Sequence, residues 1–284
     1  MGTGLHQLNQ SRGLYVDEHE TIYVADTYNH RVVAWPAGKM DGELVAGSGK
    51  AGKALDQLNL PTDVIMDQST QSLLICDSGN ERVVRWSKSG GHRGNLFLYN
   101  IGCYGLTMDD RGFLYVTIIL EFSVRLFKYG DPQGTVVAGG NGQGDRLDQL
   151  NNGLFVFVDR DHSVYVSDQV NSRVVKWLEG AKEGTVVAGG NGNGNHLKQL
   201  RYPAGVVVDG MGTVYVADTR NHRVVRWPQN ATEGDVVVGG IGFGDSCNQL
   251  NQALGVCFDI HGHLFVVDSE NNRVQKYFYA GRWH

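Results

Sequence analysis

An internal repeat constrains the fold of this chain more than any other feature. A short apolar stretch that ends in aspartate recurs along the 284 residues, at spacings of 50, 42, 50, 50 and 50 residues. The six aspartates are Asp17, Asp67, Asp109, Asp159, Asp209 and Asp259. A period of this size is typical of solenoids and propellers, in which each unit buries its faces only against its neighbours. The chain is therefore predicted to consist of six equivalent units.

Each unit contains four short candidate strands. In the fifth unit they are Gly205-Val-Val-Val-Asp209, Thr213-Val-Tyr-Val-Ala-Asp218, Arg223-Val-Val-Arg-Trp227 and Asp235-Val-Val-Val-Gly239. Turn residues separate the strands, and the strand cores are continuously apolar, so both faces must be covered. Four-stranded antiparallel sheets repeated radially predict an all-β, six-bladed β-propeller that forms a single domain over residues 1–284. A β-solenoid is the alternative, but it does not need four strands per unit.

The second turn of the unit carries the pattern D-x-x-N-x-R, followed four residues later by Trp or Tyr. It is intact five times, at Asp26/Asn29/Arg31, Asp77/Asn80/Arg82, Asp168/Asn171/Arg173, Asp218/Asn221/Arg223 and Asp268/Asn271/Arg273. With the Asn-His-Arg of residues 29–31 and 221–223, this pattern resembles the NHL repeat, and the resemblance covers essentially the whole chain. We interpret the Asp and Arg as a structural pair across the turn and the aromatic ring as filling between blades.

Two units depart from the pattern. In the third unit Ile118, Glu121 and Ser123 replace the Asp, Asn and Arg, so that both members of the pair are lost together. The sixth unit ends after the segment 272–279 without a fourth strand, and residues 1–8 match only the loop that follows such a strand. We therefore expect a three-stranded sixth blade, or a natural chain that starts upstream.

Composition excludes several classes of protein. The formal net charge of −5 is spread along the chain without a basic block, which argues against nucleic acid as a partner. No apolar run approaches the about 20 residues of a membrane helix, so we expect a soluble protein with no membrane partner. No secretory signal is visible at the N-terminus, whereas two glycosylation sequons, at Asn9 and Asn230, hint at secretion. Both a secreted and a cytoplasmic location stay open, as does the oligomeric state.

The four cysteines do not form a recognisable framework. Cys76, Cys103, Cys247 and Cys257 occupy unrelated positions in the repeat and include no C-x-x-C pair. This spacing indicates free thiols and no thiolate metal site. The glycine-rich loops that connect the units lack the following helix that a phosphate site requires. We accordingly expect no cofactor and no bound metal.

Function should be sought where the units stop being equivalent. Six positions converge at the start of the innermost strands, and polar or bulky residues replace glycine or alanine only in some units. The third turn, in addition, carries apolar side chains where the other turns are polar, and an exposed apolar cluster usually indicates a ligand or a partner. The candidate site residues are Arg12, Asp63, Tyr104, Ile118, Ile119, Glu121, Phe122, Leu154, Phe155 and Leu254.

These residues predict a non-enzymatic recognition scaffold that binds a small apolar or aromatic ligand, a peptide or a protein at the mouth of the central funnel. The alternative is a propeller enzyme, because six-bladed relatives include amidating lyases, calcium-dependent lactonases and strictosidine-synthase-like enzymes. Their resemblance implies a metal held by histidines, a cluster of oxygen ligands, or a glutamate in an apolar cavity. Here no histidine occupies the converging positions, Asp63 is nearly alone, and only Glu121 has apolar sequence neighbours. A further alternative is that the repeats mainly form a structural interaction module, with the third turn only repacking a degenerate unit.

Overall fold

The computed structural model describes residues 2–91 and 93–278. Within them the chain forms six antiparallel sheets, five of four strands and one of three. This is the predicted all-β, six-bladed β-propeller, and the three-stranded sixth sheet is confirmed. Tyr279, which the sequence placed at the end of the sixth repeat, lies outside the described residues. No helix in the described ranges has the length and apolarity needed to cross a membrane.

The described residues divide into two compact units, the first formed by the ranges 2–106 and 257–278 and the second by the range 107–256. The boundaries fall inside two strands, β9 (Cys103–Met108) and β21 (Ala253–Phe258). That the whole chain is one domain stays a prediction. The two units are described separately.

The first unit contains the first two sheets, the start of the third and the outer strands of the sixth. The first sheet comprises β1 (Leu14–Val16), β2 (Ile22–Asp26), β3 (Arg31–Trp35) and β4 (Glu43–Ala46). The second comprises β5 (Pro61–Asp67), β6 (Ser72–Asp77), β7 (Arg82–Ser87) and β8 (Asn95–Tyr99). The third begins with β9 (Cys103–Met108), and the sixth contains β21 (Ala253–Phe258), β22 (Leu264–Asp268) and β23 (Arg273–Tyr277). Short 3₁₀ turns span Thr27–Asn29, Ser78–Asn80 and Ser269–Asn271.

The second unit contains the remaining sheets. The third sheet continues with β10 (Leu114–Ile118), β11 (Ser123–Phe127) and β12 (Thr135–Gly139). The fourth comprises β13 (Gly153–Val158), β14 (Val164–Asp168), β15 (Arg173–Trp177) and β16 (Thr185–Gly189). The fifth comprises β17 (Pro203–Val208), β18 (Val214–Asp218), β19 (Arg223–Trp227) and β20 (Asp235–Gly239). Its 3₁₀ turns span Ile119–Glu121 and Thr219–Asn221.

Neighbouring sheets bury each other's faces, as the continuously apolar strands predict. In the first unit one cluster joins Ala25 and Val32 of the first sheet to Ile75 and Trp86 of the second. In the second unit an equivalent cluster joins the third and fourth sheets through Tyr115, Val166 and Trp177, among others. The signature Trp of β7 and β15 thus lies between sheets, where burial of an aromatic side chain contributes most to stability.

The prediction of four free thiols is wrong. Cys76 on β6 and Cys103 at the start of β9 form a disulfide at a sequence separation of 27, and both are fully buried. Cys247 and Cys257 are free. Repeat positions describe where a residue lies within its own sheet, whereas this bond joins the second strand of one sheet to the first strand of the next. The spacing along the sequence therefore could not reveal it.

Candidate functional site

The signature turn holds the start of the first strand of its own sheet. In the first sheet, Asp26 Oδ2 accepts hydrogen bonds from Asn29 Nδ2 and Arg31 Nε, both at 2.8 Å, and Oδ1 accepts one from the Asn9 backbone N–H at 2.8 Å. Arg31 also donates to the carbonyls of Thr3, Gly4 and Gln7 in the loop before β1. The carboxylate and the guanidinium therefore fasten the loop and the strand entrance together.

All five intact signatures make this pair, so the structural interpretation is confirmed. The Nε to Oδ2 distances are 2.8 Å for Arg31–Asp26, 2.6 Å for Arg82–Asp77, and 2.7 Å for Arg173–Asp168, Arg223–Asp218 and Arg273–Asp268. The two histidines of the signature are structural as well. Nδ1 of His30 accepts from the Leu60 N–H at 3.1 Å, and Nδ1 of His222 accepts from the Gln252 N–H at 3.2 Å. Each joins its turn to the entrance of the next sheet.

The third turn is built differently. Ile118 and Ser123 stand opposite each other in the β10–β11 ladder, where the other sheets have Asp opposite Arg, and both are buried. Glu121 is not in an apolar cavity, because its side chain is 46% exposed and pairs with Arg125 at 2.8 Å. The prediction of an enzyme-like carboxylate in apolar surroundings is therefore wrong for Glu121. Its apolar neighbours in sequence point elsewhere, since a 3₁₀ turn directs successive side chains in different directions.

Only part of the third turn is available for contact. Leu120 is 77% exposed, Ile119 is half-buried, and Phe122 adopts a positive φ of 52° and packs against the core of the second unit. Ile118 is 5% exposed. The apolar surface predicted from the run 118–122 is thus carried mainly by Leu120, which was not among the predicted site residues.

Three predicted site residues of the first unit lie together. The Arg12 guanidinium lies 5.5 Å from the centroid of the Tyr104 ring, in a cation–π arrangement. Asp63 is buried beside them, and its two carboxylate oxygens accept hydrogen bonds from the backbone N–H groups of Leu106, at 2.8 Å, and Val64, at 2.9 Å. Burial raises the pKa of Asp63 to about 7 against the effect of these two bonds. These three predicted residues therefore lie close together, and that they bind a ligand stays a prediction.

Gly13 shows how closely the strand entrances approach. A Cβ on this residue would lie 2.2 Å from Asp63 Oδ1 and 2.7 Å from Asp63 Cα. Glycine is therefore required opposite Asp63. Burial also raises the pKa of Tyr104, and the charge of Arg12 opposes that increase. The group forms a compact set of one cation, one phenol and one carboxyl, which we call the Arg12 cluster (Arg12, Asp63 and Tyr104).

The predicted site residues of the fourth sheet, Leu154 and Phe155, are enclosed between strands, whereas Leu254 of the sixth sheet is half-buried. Leu154 and Phe155 are 4% and 6% exposed. The Leu154 carbonyl accepts from Thr117 Oγ1 at 2.6 Å, and the Phe155 N–H donates to Ser167 Oγ at 3.0 Å. The Leu254 carbonyl lies where a Cβ on Gly205 would approach it to 2.4 Å. Leu154 and Phe155 therefore do not form the predicted open apolar wall, because their side chains are enclosed between strands.

Sequence reasoning missed Tyr28, which occupies the variable second position of the first signature turn. It is 47% exposed, and it is close enough to Tyr104 to affect the pKa of that phenol. The equivalent position carries Leu120 and Val170 in the second unit, both exposed. This position varies freely because the turn does not use its side chain. An aromatic or aliphatic residue there is the signal that would have pointed to a contact surface.

The repeated Asp–Arg turn can now be compared with known families. The family model described as NHL repeat matches residues 8–35, 200–227 and 250–277. The chain is a six-bladed β-propeller that contains NHL repeats. Of the other three repeats, the second and the fourth share the Asp–Arg pair, and the third lacks it. No curated protein matches the sequence.

Several solved structures resemble this NHL-repeat propeller in fold. An auxiliary nutrient binding protein from Bacteroides thetaiotaomicron has a TM-score of 0.70 and 14% identity, over 97% of this chain and 70% of its own. A virginiamycin B lyase from Staphylococcus aureus, with quinupristin, has a TM-score of 0.58 and 10% identity, over 96% and 85%. A nidogen/laminin complex contains a chain with a TM-score of 0.63 and 16% identity, over 80% and 79%. At these identities the likeness concerns the fold alone.

Two clefts lie away from the predicted site residues. In the first unit a cleft of 440 Å³ is lined by Leu8, Ile22, Trp35, Val274 and Lys276, among others. In the second unit a cleft of 840 Å³ between the fourth and fifth sheets is lined by Tyr165, Lys176, Met211, Trp227 and Asn230, among others. None of the predicted site residues lines either cleft.

One group in the described residues has the composition of a metal site. Ligand atoms of Asp109, Asp110 and His162 all lie within 4.8 Å of one another. Arg111 already pairs with Asp109 at 2.7 Å, and His162 Nε2 lies 2.9 Å from Asp110 Oδ1. A cation would have to compete with the guanidinium for the same carboxylate. The arrangement is that of an ion-pair network joining the third and fourth sheets.

Proposed function

We propose that this NHL-repeat propeller is a non-enzymatic recognition scaffold that binds a small aromatic ligand, or a peptide with an aromatic residue, at the Arg12 cluster. The observation that carries the proposal is the Arg12 guanidinium stacked at 5.5 Å from the Tyr104 ring centroid. The equivalent positions in the fifth and sixth units are Ala204 and Leu254, so neither residue is required by the repeat.

The chemistry of the cluster suits a ligand that carries a carboxylate beside an aromatic ring. Arg12 is half-buried, and its guanidinium lies over the Tyr104 ring without an ion pair to an acidic side chain among the described residues. A guanidinium in this state pairs favourably with an incoming carboxylate and keeps its stacking on the Tyr104 face. The ring of Tyr28, which is 47% exposed and acts on the pKa of Tyr104, adds an aromatic surface in the same region. The fold's occurrence in nutrient-binding proteins and in a nidogen/laminin complex supports a recognition role.

The test is binding of free aromatic amino acids and of short peptides that end in Phe, Tyr or Trp, measured by isothermal titration calorimetry. We expect Arg12→Gln to weaken binding at least tenfold, because it removes the charge while keeping most of the side chain's length. Tyr104→Phe should bind like the wild type, since the ring is retained. The matched control is Arg160→Gln, a substitution of an exposed arginine in the second unit. Equal affinity in the Arg12 and Arg160 variants, or no binding by the wild type across the panel, rejects the proposal.

A second candidate, a lyase or hydrolase, is favoured by one observation. Asp63 has a pKa raised to about 7, and a group with such a pKa is suited to proton transfer at neutral pH. Both of its oxygens, however, are engaged by backbone N–H groups. The test is metal analysis of the purified protein with a turnover screen on lactones, peptidyl-hydroxyglycines and glycosidic alkaloid precursors. Turnover that is lost in Asp63→Asn supports this candidate, and its absence in the wild type rejects it.

A further inference from the structure

One turn of the fifth sheet differs from its equivalents in its third residue. The turn between β19 and β20 is closed by a hydrogen bond from the Ala231 N–H to the Pro228 carbonyl at 2.9 Å. Its third residue, Asn230, has a positive φ of 63°. The same position is glycine in the first, third and fourth sheets, namely Gly38, Gly130 and Gly180, with φ of 74°, 76° and 76°. Asn is the non-glycine residue that tolerates this conformation best.

The equivalent glycines show where the Asn230 side chain points. A Cβ added to Gly38, Gly130 or Gly180 meets nothing within 4 Å. Asn230 and Thr232 are both exposed, and the Asn230 amide makes no side-chain hydrogen bond within the described ranges 2–91 and 93–278. The turn therefore presents an unengaged carboxamide to solvent.

Asn230-Ala231-Thr232 has the sequence of an N-glycosylation acceptor, in which the middle residue is not proline. The second such triplet, Asn9-Gln10-Ser11, has the opposite environment. Ser11 is 1% exposed, and the Asn9 side-chain oxygen is buried. Asn9 is half-buried and its backbone N–H donates to Asp26, so a glycan there has less room than one on Asn230. The chain thus contains one exposed triplet and one largely buried triplet.

The disulfide is an independent observation that points to the same compartment. Cys76 and Cys103 are paired and fully buried. Structural disulfides form and persist in oxidising environments such as the lumen of the endoplasmic reticulum. N-glycans are added in that same lumen, on surface loops of secreted proteins.

We propose that Asn230 is an N-glycosylation site and that the chain matures in the secretory pathway. The donor class is a lipid-linked oligosaccharide diphosphate. Asn230 Nδ2 forms a bond to the anomeric carbon of the first sugar while the bond from that carbon to the diphosphate oxygen breaks. The lipid diphosphate leaves with the electron pair, and the amide loses one proton to a base. No oxidation or reduction accompanies the step.

The glycan would cover a defined surface. Asn230 lines the 840 Å³ cleft of the second unit, together with Leu178 and Met211, which are 62% and 57% exposed. An oligosaccharide attached at this rim shields these apolar side chains from water and from other proteins. The face that carries the Arg12 cluster belongs to the first unit, so the proposal is independent of the proposed ligand.

The experiment is expression of the full chain, directed into the secretory pathway of insect cells, followed by treatment with peptide-N-glycosidase F and peptide mass spectrometry. We expect a single glycan, conversion of Asn230 to aspartate on enzyme treatment, and a peptide that joins Cys76 to Cys103 under non-reducing conditions. Thr232→Ala should abolish the glycan without altering the turn residue, Thr232→Ser should retain it, and Ser11→Ala should leave it unchanged. A folded, secreted chain that is unmodified at Asn230, modified at Asn9 instead, or free of the disulfide overturns the proposal.

Discussion

The turns of the third and fifth sheets occupy equivalent positions in the second unit, yet they are held by different interactions. Asp218 and Arg223 stand opposite each other in the β18–β19 ladder, as Ile118 and Ser123 do in β10–β11. Asp218 accepts from the Arg201 N–H at 2.6 Å, and Arg223 donates to carbonyls of the loop that precedes β17. In the third sheet neither partner of the ion pair exists.

The length of the preceding loop explains the difference. Residues 190–202 join β16 to β17, which is thirteen residues, whereas residues 100–102 join β8 to β9, which is three. The arginine of a signature turn holds a long loop through its carbonyls. Where that loop is short, a buried guanidinium would lack acceptors and would cost more than it contributes. The Asp and Arg are therefore lost together, since either alone would be an unpaired buried charge.

A covalent bond is found where the third sheet lacks the ion pair. Cys103 follows the three-residue loop directly, and its disulfide with Cys76 fixes the start of β9 to β6. In the other four-stranded sheets the start of the first strand is fixed by the Oδ1 atom of the signature aspartate, for example by Asp77 accepting from the Asn59 N–H at 2.6 Å. The disulfide thus fixes the start of β9 to the preceding sheet, whereas the carboxylate fixes the strand entrance to its own sheet.

Removing one partner of the buried pair should have the largest effect. Arg223→Met leaves the fully buried Asp218 carboxylate without its cation, and we expect the free energy of unfolding to fall by about 3–5 kcal/mol. The measurement is urea denaturation followed by fluorescence. Ser123→Ala, at the equivalent position of the third sheet, should cost no more than about 1 kcal/mol. Similar losses in the two variants would show that the pair is not what distinguishes the two turns.

Removal of the disulfide is expected to rank next. For the 27-residue separation of Cys76 and Cys103, the loop-entropy relation gives a loss of about 3–4 kcal/mol in the double variant Cys76→Ala/Cys103→Ala. Thermal unfolding by calorimetry measures it. Cys247→Ser, at an exposed free cysteine, is the control and should change little. Four reactive thiols in the unreduced wild type would contradict the assignment.

The sequence predicts the repeating part of this molecule well and the exceptions poorly. The six units, their strands and the Asp–Arg pair follow from local patterns that recur five or six times, so each copy checks the others. The Cys76–Cys103 bond occurs once and joins two sheets, and therefore no repeated pattern predicts it. The side-chain directions in the third turn could not be predicted either, because Ile118, Leu120 and Glu121 are close in sequence but differ in exposure.

The candidate site, too, could be predicted from the sequence only in part. Arg12, Asp63 and Tyr104 were predicted because they break the symmetry of the strand entrances, where glycine or alanine is otherwise common. They lie close together, and their role in binding stays a prediction. Leu154 and Phe155 break it too, yet they are buried between strands. A bulky residue at these positions either faces the open surface or fills a gap, and only the three-dimensional packing distinguishes the two outcomes.

The pH dependence of stability tests how well a strand entrance tolerates the buried charge of Asp63 in the Arg12 cluster. Asp63 has a pKa of about 7 in the folded state, against about 3.9 when unfolded. Between pH 4 and 7 the folded carboxyl retains a proton that the unfolded chain has released, so stability is greatest at low pH and falls as the pH rises towards 7, by up to about 1.4 kcal/mol per unit. Asp63→Asn should remove this slope. The contribution of Asp63 is the difference between the urea midpoints of wild type and variant, measured from pH 5 to 8. A difference that does not change with pH would contradict the raised pKa of Asp63.

The smallest effect should come from the exposed ion pair of the third turn. Glu121→Gln removes the 2.8 Å pair with Arg125, in which the two side chains are 46% and 28% exposed. Solvent screens such a pair, so we expect a loss of at most about 0.5 kcal/mol, largely abolished in high salt. The matched comparison is Asp218→Asn in the fifth sheet, where the carboxylate is fully buried and the loss should persist in high salt. A loss in Glu121→Gln as large as that in Asp218→Asn would mean that the third turn also depends on its own charge pair, and that loop length alone does not decide which turn needs one.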